Sequence, residues 1–202
     1  MKIVLVRHAY SEANKKNWYS GWIDVDLAEE GIIELKDFKT RYDYPKTDYY
    51  FSSDLKRAKQ TFAILYGDQY ELNGTLKGFR EIYYGELEGK TGDHTPISFN
   101  ENFFKNKRVF GGEIVSEFSF RLLKQLIEIL KMLEEENKES ATIVCHSGVI
   151  KMLIILLEKR PFSDFSEINA PNGLGYILDL SLNENQEIVY QGKTAIKEKQ
   201  RD

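Results

Sequence analysis

The sequence predicts an α/β fold with an open, mostly parallel central sheet and helices on both faces. Short, continuous apolar runs at residues 3–6 and 141–145 are typical of strands that are covered on both faces. These runs alternate with amphipathic segments, the longest of which spans residues 115–139. Strands that alternate with helices in this way favour a parallel sheet between two helical layers.

The first elements are a buried strand and a helix. Residues 3–6 form the strand. Asp26 has the side chain of a helix N-cap, and Glu29 stands three residues later, where it completes a capping box. We expect this helix to run to about Tyr42, because Pro45 cannot continue it.

The second strand is predicted at residues 48–53, followed by a helix over residues 55–66 that Ser53 or Asp54 can cap. From about residue 92 to residue 115 the sequence has no period, and a stretch of this length is typical of a functional loop or lid. We interpret His94 as a loop histidine and the phenylalanines of this lid as its small core rather than a specificity pocket.

The C-terminal half adds a helix, a strand, a helix and a hairpin. Apolar residues at three- and four-residue steps predict the helix over residues 115–139. Residues 141–146 are the third buried strand, and residues 147–158 the helix that follows. Residues 174–192 alternate in polarity and turn at residues 183–186, which predicts a hairpin. We expect the basic tail after Lys193 to be solvated or frayed.

Composition limits the possible functions. The chain has 202 residues, 42% of them hydrophobic and 30% charged, which is typical of one soluble globular domain, here residues 1–202. A net charge of −4 argues against nucleic-acid binding but allows a small anionic substrate. The apolar run at residues 152–157 is too short to cross a membrane, and the single cysteine excludes an internal disulfide, so we expect a cytoplasmic protein.

Polar residues follow each of the three strands at its C-terminal end. Arg7 and His8 end the first strand, and Arg57 lies in the first turn of the helix after the second. His146, with a serine and a glycine behind it, ends the third. Because the carboxyl ends of parallel strands meet at one edge of a sheet, we expect these side chains to converge there.

Such an edge favours an anion. Arginine forks match phosphate oxygens, helix N-termini present free N–H groups, and Gly148 lets the backbone approach closely. Sulfate or a carboxylate would also fit, but the two histidines indicate phosphoryl transfer, because histidine is a covalent nucleophile. Such a reaction also needs an acid that protonates the leaving oxygen.

Five sequence blocks together resemble the histidine phosphatase superfamily, in its phosphoglycerate-mutase-like branch. They lie within residues 3–31, 51–62, 79–91 and 142–151, in the order that the family has them. The resemblance implies a three-layer α/β/α sandwich with a small lid insertion and a phosphohistidine mechanism without metal or other cofactor. The blocks read VRHAYSEAN, GWIDVDLAEEG, SSDLKRAKQT, FREIYYGELEGKT and VCHSGVIK.

The resemblance also implies residue roles. His8 would be the nucleophile, Glu81 the proton donor, and Asn14 a phosphate contact. The resemblance further implies that the phosphoryl group is held by Arg7, Arg57 and His146.

Five further aromatic or hydroxyl side chains lie in or near these blocks. Ser147, Ser11 and Tyr84 are candidate substrate contacts, although Ser11 and Asn14 could instead cap a turn and Tyr84 could be a packed aromatic. We interpret Trp18 and Trp22 as packing residues.

Two departures from the mutases favour a phosphatase. The mutases grip their substrate with an Arg-Arg pair and a lysine, whereas the lid here offers only Lys105, Lys107 and Arg108. The mutases follow the second histidine with Gly-Asn, where this chain has Ser147 and a glycine. Ala9 replaces the usual glycine after the first histidine, a small change. The chain length is similar to that of the short phosphatases, including those that act on α-ribazole phosphate.

Three functions remain open at this point. The first is hydrolysis of a small phosphorylated metabolite, the second is phosphoglycerate mutase activity, and the third is a non-enzymatic phosphate-binding module. For each we expect a monomer or homodimer that binds neither nucleic acid nor membrane. A cysteine-dependent mechanism is disfavoured, because the cation six residues after Cys145 is Lys151 rather than arginine and Cys145 lies in a buried strand.

Overall fold

The computed structural model describes residues 1–91 and 98–200. Within these residues, no helix is long and apolar enough to cross a membrane. The strands are β1 (Lys2–Arg7), β2 (Tyr49–Ser52), β3 (Gly74–Thr75), β4 (Ser140–Cys145), β5 (Gly175–Leu182) and β6 (Ile188–Ala195). The helices are α1 (Glu12–Lys15), α2 (Glu29–Arg41), α3 (Lys56–Leu65), α4 (Phe99–Phe104), α5 (Val115–Glu135) and α6 (Ser147–Glu158).

All six strands form one sheet in the order β3-β2-β4-β1-β5-β6. The first four in this order are parallel, and β5 and β6 form the predicted antiparallel hairpin at one side. In the β1–β4 register, Arg7 lies opposite Cys145. The residues that follow these two strands, His8 and His146, therefore leave the sheet side by side.

The sheet is covered on both faces, which confirms the predicted three layers. Ile3 and Leu5 of β1 contribute to one apolar core with α5 and α6. Val4 and Val6 point to the opposite face and pack in a second core with α2 and α3. Strand side chains alternate between faces, so a continuous apolar run supplies both cores.

The predicted cap of α2 is wrong. The residue before the helix is Ala28, which makes no side-chain capping bond. Asp26 lies outside the helix, where its carboxylate accepts a hydrogen bond from Gln60 Nε2 at 2.9 Å and its carbonyl accepts one from the Glu12 amide at 3.0 Å. These contacts with distant segments replace the local capping box.

The predicted cap of α3 is also wrong. Leu55 precedes the helix and has no side-chain capping bond. Asp54 instead forms a two-point ion pair with Arg80, with both nitrogen–oxygen distances at 2.7 Å. Ser53 is buried, and its hydroxyl reaches only the Leu55 amide, at 3.5 Å. Because the Asp54 carboxylate is engaged in this long-range ion pair, it does not cap α3.

Residues 194–200 of the C-terminal tail are mostly exposed, as expected, but they are held by contacts with the rest of the fold and are not frayed. Lys193 belongs to β6, and Ile196 beyond it is buried. The Lys199 amide donates a hydrogen bond to the Arg41 carbonyl at 2.7 Å. The tail is therefore docked against the end of α2.

The first part of the predicted lid, residues 92–97 with His94, lies outside the described residues. From Ser98 onward the lid contains α4, in which Phe99 and Phe103 are buried. Phe103 packs against Phe118 of α5, with ring centroids 6.0 Å apart. Phe99 and Phe103 belong to the same apolar core as α5 and α6, so these phenylalanines pack into the main core and do not form a small core of the lid alone.

Candidate active site

The ends of β1 and β4 bring two histidines together. The ring centroids of His8 and His146 are 5.2 Å apart, and the rings are inclined at 60°. A cavity of about 350 Å³ opens at this edge of the sheet. It is lined by Arg7, His8, Ser11, Asn14, Asn17, Trp18, Tyr19, Ser20, Glu81, Tyr84 and Ser147.

His8 is held as a neutral imidazole with one nitrogen free to react. Its Nδ1 lies 2.7 Å from the Ala9 carbonyl, which can only accept, so the proton is on Nδ1 and Nε2 keeps its lone pair. Burial and the positive charges of Arg57 and Arg7 hold the pKa of His8 well below 6.5. At neutral pH the Nε2 lone pair of His8 is therefore available.

The main chain around His8 is fixed from three sides. The His8 amide donates to the Cys145 carbonyl at 2.9 Å, and Asn172 Nδ2 donates to the His8 carbonyl at 2.9 Å. The next amide, of Ala9, donates to Thr61 Oγ1 at 2.9 Å. Ala9 is itself buried, so the methyl group that replaces the usual glycine hydrogen is accommodated in the core.

His146 precedes α6 at its N-terminus and is fully buried. Burial and the charge of Arg57 hold its pKa well below 6.5, so it too is neutral at neutral pH. Neither of its ring nitrogens has a hydrogen-bond partner among the described residues. Buried polar atoms are nearly always paired, so these two nitrogens indicate a ligand.

The two arginines differ in their surroundings. Arg7 lines the cavity and donates from Nη1 to the Ala170 carbonyl at 2.7 Å. Arg57 is fully buried behind a loop, where it donates to the carbonyls of Ile23 at 2.9 Å and Gly21 at 2.7 Å. Burial lowers the pKa of Arg57 to about 10, which still leaves it charged at neutral pH.

Arg57 and His146 are not in the cavity wall that the described residues form. They lie close to it: the charge of Arg57 helps to lower the pKa of His8, and the His146 ring is 5.2 Å from the His8 ring. The Nε atoms of Arg7 and Arg57 are, like both His146 ring nitrogens, buried without a partner among the described residues. Their role in phosphate binding stays a prediction.

Glu81 reaches this site from a segment without regular structure. Its carboxylate accepts hydrogen bonds from the amides of Gly148 and Ile82, each at 2.9 Å. A Cβ added to Gly148 would lie 2.1 Å from Glu81 Oε1. The close approach that this glycine allows is therefore to the Glu81 carboxylate, whereas the sequence predicted a close approach of the backbone to a bound anion.

Ser11 and Asn14 serve as a helix cap and as cavity wall at the same time. The Ser11 hydroxyl accepts from the Asn14 amide at 3.3 Å, and Asn14 Oδ1 accepts from the Ser11 amide at 3.0 Å. This capping box begins α1. With its oxygen so engaged, Asn14 has its Nδ2 group as the remaining donor, and both residues line the cavity beside Ser147.

The aromatic candidates have separate places. Tyr84 lines the cavity and packs on Tyr19 at 5.1 Å and on Phe99 at 4.9 Å, and burial with the negative charge of Glu81 raises its pKa well above 10. Trp18 lines the cavity, which the packing interpretation did not anticipate. Trp22 does pack, against Tyr83, and its indole N–H donates to the Glu81 carbonyl at 3.1 Å.

Sequence reasoning missed Glu88. Its carboxylate accepts from the amides of Gly21, Trp22, Ile23 and Tyr84, at 3.0, 2.8, 3.0 and 3.1 Å. It thereby fixes the same loop whose carbonyls hold Arg57. The only sequence signal for Glu88 is its position in the FREIYYGELEGKT block, because no spacing rule distinguishes it from the other acidic residues of the chain.

Cys145 is fully buried, and burial raises the pKa of its thiol. The thiol stays protonated at neutral pH, and a protonated thiol is a poor nucleophile. This confirms the prediction that Cys145 is a small, buried, hydrophobic side chain.

The variant Cys145→Ala is therefore expected to keep most of the turnover and to lose about 1 kcal/mol of unfolding free energy, because a small buried group is removed. Steady-state kinetics and urea unfolding measure the two quantities. Loss of turnover in a fully folded variant would contradict the assignment.

The two neutral histidines predict a pH dependence of stability. Because burial holds both pKa values below 6.5, the unfolded chain binds more protons than the folded chain as the pH falls below about 6.5. The unfolding free energy should be highest above that pH and decline below it, by at most about 1.4 kcal/mol per histidine per pH unit.

Urea unfolding of the wild type and of His146→Gln, at about pH 7.5 and about pH 5.5, tests this. The wild type should lose more stability between the two pH values than the variant does. Equal losses would mean that His146 is not held neutral by the fold.

Metal ligands do not gather in this part of the molecule. Within residues 1–91 and 98–200, no three His, Cys, Asp or Glu side chains come together as a metal site. The cavity presents instead a guanidinium, an imidazole, a carboxyl group and amide and hydroxyl donors.

The fold and site define an α/β protein with a pair of histidines beside a polar cavity at the carboxyl edge of its parallel strands. Residues 3–191 match the family described as "Histidine phosphatase superfamily (branch 1)", and the chain belongs to that family. Its members among the similar proteins are phosphatases and mutases, so this is an enzyme family.

Two curated relatives illustrate the range of that family. A 2,3-bisphosphoglycerate-dependent phosphoglycerate mutase from Xanthobacter autotrophicus is 30% identical over 94% of this chain and 90% of its own length. A Schizosaccharomyces pombe protein named as a probable phosphatase is 30% identical over 76% of this chain and 71% of its own.

Among solved structures, the α-ribazole phosphatase from Shigella flexneri superposes with a TM-score of 0.75. It is 24% identical, with 95% of each chain covered. At that identity the likeness shows the shared fold alone, and it confirms the predicted architecture.

Proposed function

We propose that the protein hydrolyses a small phosphomonoester through a phosphohistidine intermediate on Nε2 of His8, with Glu81 as the proton donor. One observation carries this proposal. The neutral His8, whose Nε2 is free, lines the cavity together with Arg7, and the His146 ring lies 5.2 Å from the His8 ring. Nitrogen atoms of His146, Arg7 and Arg57 are buried without a partner in the described part of the chain. A phosphoryl group would accept hydrogen bonds from all of them.

In the first step the His8 Nε2 lone pair attacks phosphorus, and a phosphorus–nitrogen bond forms while the bond to the ester oxygen breaks. The ester oxygen leaves with the bonding electrons and takes the proton of Glu81, so the product is a neutral alcohol. The two arginines neutralise charge on the equatorial oxygens, which is the main task of a protein in phosphoryl transfer.

In the second step a water molecule attacks the phosphorus atom and gives its proton to the Glu81 carboxylate. The phosphorus–nitrogen bond breaks, its electrons return to His8 Nε2, and inorganic phosphate leaves. Glu81 is protonated again and His8 is neutral, so the cycle closes without metal or other cofactor.

The cavity favours a small substrate. Its volume of about 350 Å³ lies near the lower end of ligand pockets, and its wall is mostly polar. The partner of the protein is accordingly a small phosphorylated metabolite, which matches the expectation from net charge.

Mutase activity is the second candidate, because curated relatives such as the Xanthobacter autotrophicus protein carry that name. The cations available here argue against it. Lys105 pairs with Glu101 at 2.6 Å, and Arg108 pairs with Glu117. Arg7 is the only lysine or arginine in the described cavity wall, and residues 92–97 contain neither residue type. A second anionic group of a substrate would therefore find no further cationic side chain in the described cavity wall, whereas a mutase needs one to bind that group.

A panel of phosphomonoesters that includes phosphoglycerate tests the proposal, with free phosphate and isomerised product measured in parallel. We expect release of phosphate to outpace isomerisation, and activity to survive a chelator. Isomerisation without release would favour the mutase. No turnover with any substrate, while ligands still raise the thermal midpoint, would favour a binding module.

A further inference from the structure

Glu81 needs support from outside its own segment. It follows the short 3₁₀ turn Lys77–Phe79 and lies on irregular backbone. Irregular backbone does not fix a side chain as a helix or strand does, so a catalytic group placed on it must be held by neighbours. The contacts of residues 78–83 therefore decide where the carboxyl group sits.

Arg121, near the start of α5, supplies three of these contacts. Its Nη1 donates to the carbonyls of Gly78 at 2.8 Å and Arg80 at 2.7 Å, and its Nη2 donates to the carbonyl of Glu81 at 2.8 Å. A planar guanidinium can donate along several fixed directions at once, and a lysine ammonium cannot reproduce that fork.

Glu113 holds the other side of Arg121 and the other end of the segment. Its carboxylate accepts from Arg121 Nε at 2.7 Å and Nη2 at 2.9 Å. Its Oε2 also accepts from the Tyr83 amide at 3.2 Å, and its own amide donates to the Tyr83 carbonyl at 2.8 Å. The pair is largely buried, with 18% and 9% of the two side chains exposed.

We propose that Arg121, oriented by Glu113, is a positioning residue for the proton donor Glu81. The proposal rests on the proposed function, since it concerns the acid of that reaction. All five N–H groups of Arg121 donate to protein acceptors, so it acts through Glu81 and not on the substrate. The five contacts that Arg121 and Glu113 make with residues 78–83 fix the direction in which the Glu81 side chain leaves the backbone.

Arg121→Lys tests this with two kinds of substrate. An alkyl phosphate needs a proton on its leaving oxygen, whereas an aryl phosphate with an acidic phenol needs little help. We expect kcat/KM for the alkyl phosphate to fall about 10-fold to 100-fold, and that for the aryl phosphate only a few-fold, because small misplacement of a catalytic group is costly. A loss of equal size on both substrates would overturn the proposal.

The matched control is Arg160→Met. Arg160 also pairs with carboxylates, with Nε 2.8 Å from Asp164, but it contacts no part of residues 78–83. It should leave both kcat/KM values near those of the wild type. If Arg121→Lys does not fold, Glu113→Gln replaces it, since glutamine keeps the size of the side chain and loses the charge that orients the guanidinium.

A double-mutant cycle separates positioning from general damage. With Glu81→Gln already present, Arg121→Lys should cost almost nothing further on the alkyl phosphate, because both changes act through one group. Additive losses would overturn the proposal. A crystal structure of Arg121→Lys tests the positioning of Glu81 independently of activity. The distance from Glu81 Oε2 to the Gly148 amide nitrogen, which is 2.9 Å in the wild type, should lengthen.

The two failures are distinguishable. If the wild type and the Arg160→Met control release no phosphate from any ester, the proposed function fails. If they are active while the cycle is additive and the Glu81 contact is unchanged, only the role of Arg121 fails.

Discussion

Replacing His8 by glutamine is expected to lower turnover at least about a thousandfold, because removal of a covalent nucleophile eliminates the pathway that it supports. Glutamine is polar and of similar length, so the buried position stays filled. The donors of Arg7, Arg57 and His146 remain, and the variant should still bind phosphate. The loss should therefore fall on kcat more than on KM.

A rapid-quench experiment with phosphorus-labelled substrate measures the intermediate directly. The wild type should accumulate protein-bound label that is stable in base and lost in acid, as expected for a phosphorus–nitrogen bond. His8→Gln should carry none. His94→Gln is the matched control, because His94 is the third histidine of the chain and lies outside the five sequence blocks. Label on the His8 variant, or near-normal turnover by it, would refute the phosphohistidine mechanism.

Glu81→Gln is expected to reduce kcat/KM for alkyl phosphates by about 10²-fold to 10⁴-fold, the usual contribution of a general acid. Glutamine has nearly the same shape, and its carbonyl oxygen can still accept from the Gly148 or the Ile82 amide. What it cannot do is donate an acidic proton. The loss should therefore shrink steadily as the leaving alcohol becomes more acidic.

A plot of log kcat/KM against leaving-group pKa, for the wild type and for Glu81→Gln, measures that dependence. The variant should show the steeper slope. Gly148→Ala provides a second route to the same group, because its new Cβ would stand 2.1 Å from Glu81 Oε1 and displace the carboxyl group. If Glu81→Gln lowered kcat/KM by the same factor for every leaving group, Glu81 would not be the general acid.

Much of the fold is local in the sequence and was predictable for that reason. The apolar run before Arg7 marks a strand buried on both faces, and the three-to-four spacing of α5 marks one face of a helix. Two histidines at the ends of such runs have to meet if the strands are parallel neighbours, and they do, with 5.2 Å between ring centroids.

The errors concern residues whose partners are far away in the chain. Asp54 is a good helix cap by local rules, yet it pairs with Arg80. Asp26 likewise accepts a hydrogen bond from Gln60 and does not cap α2. A cap is worth about 1 kcal/mol, so one two-point ion pair or one well-placed hydrogen bond is enough to outcompete it.

The sequence by itself determined the layers of this protein and the edge of the sheet at which the two histidines meet. Only the tertiary structure decided how the acid is placed: Glu81 meets Gly148 across 67 residues, and Arg121 reaches the Glu81 carbonyl across 40. The physical reason is that periodicity and residue type record local preference and burial, whereas a hydrogen bond between distant segments depends on how every intervening element packs.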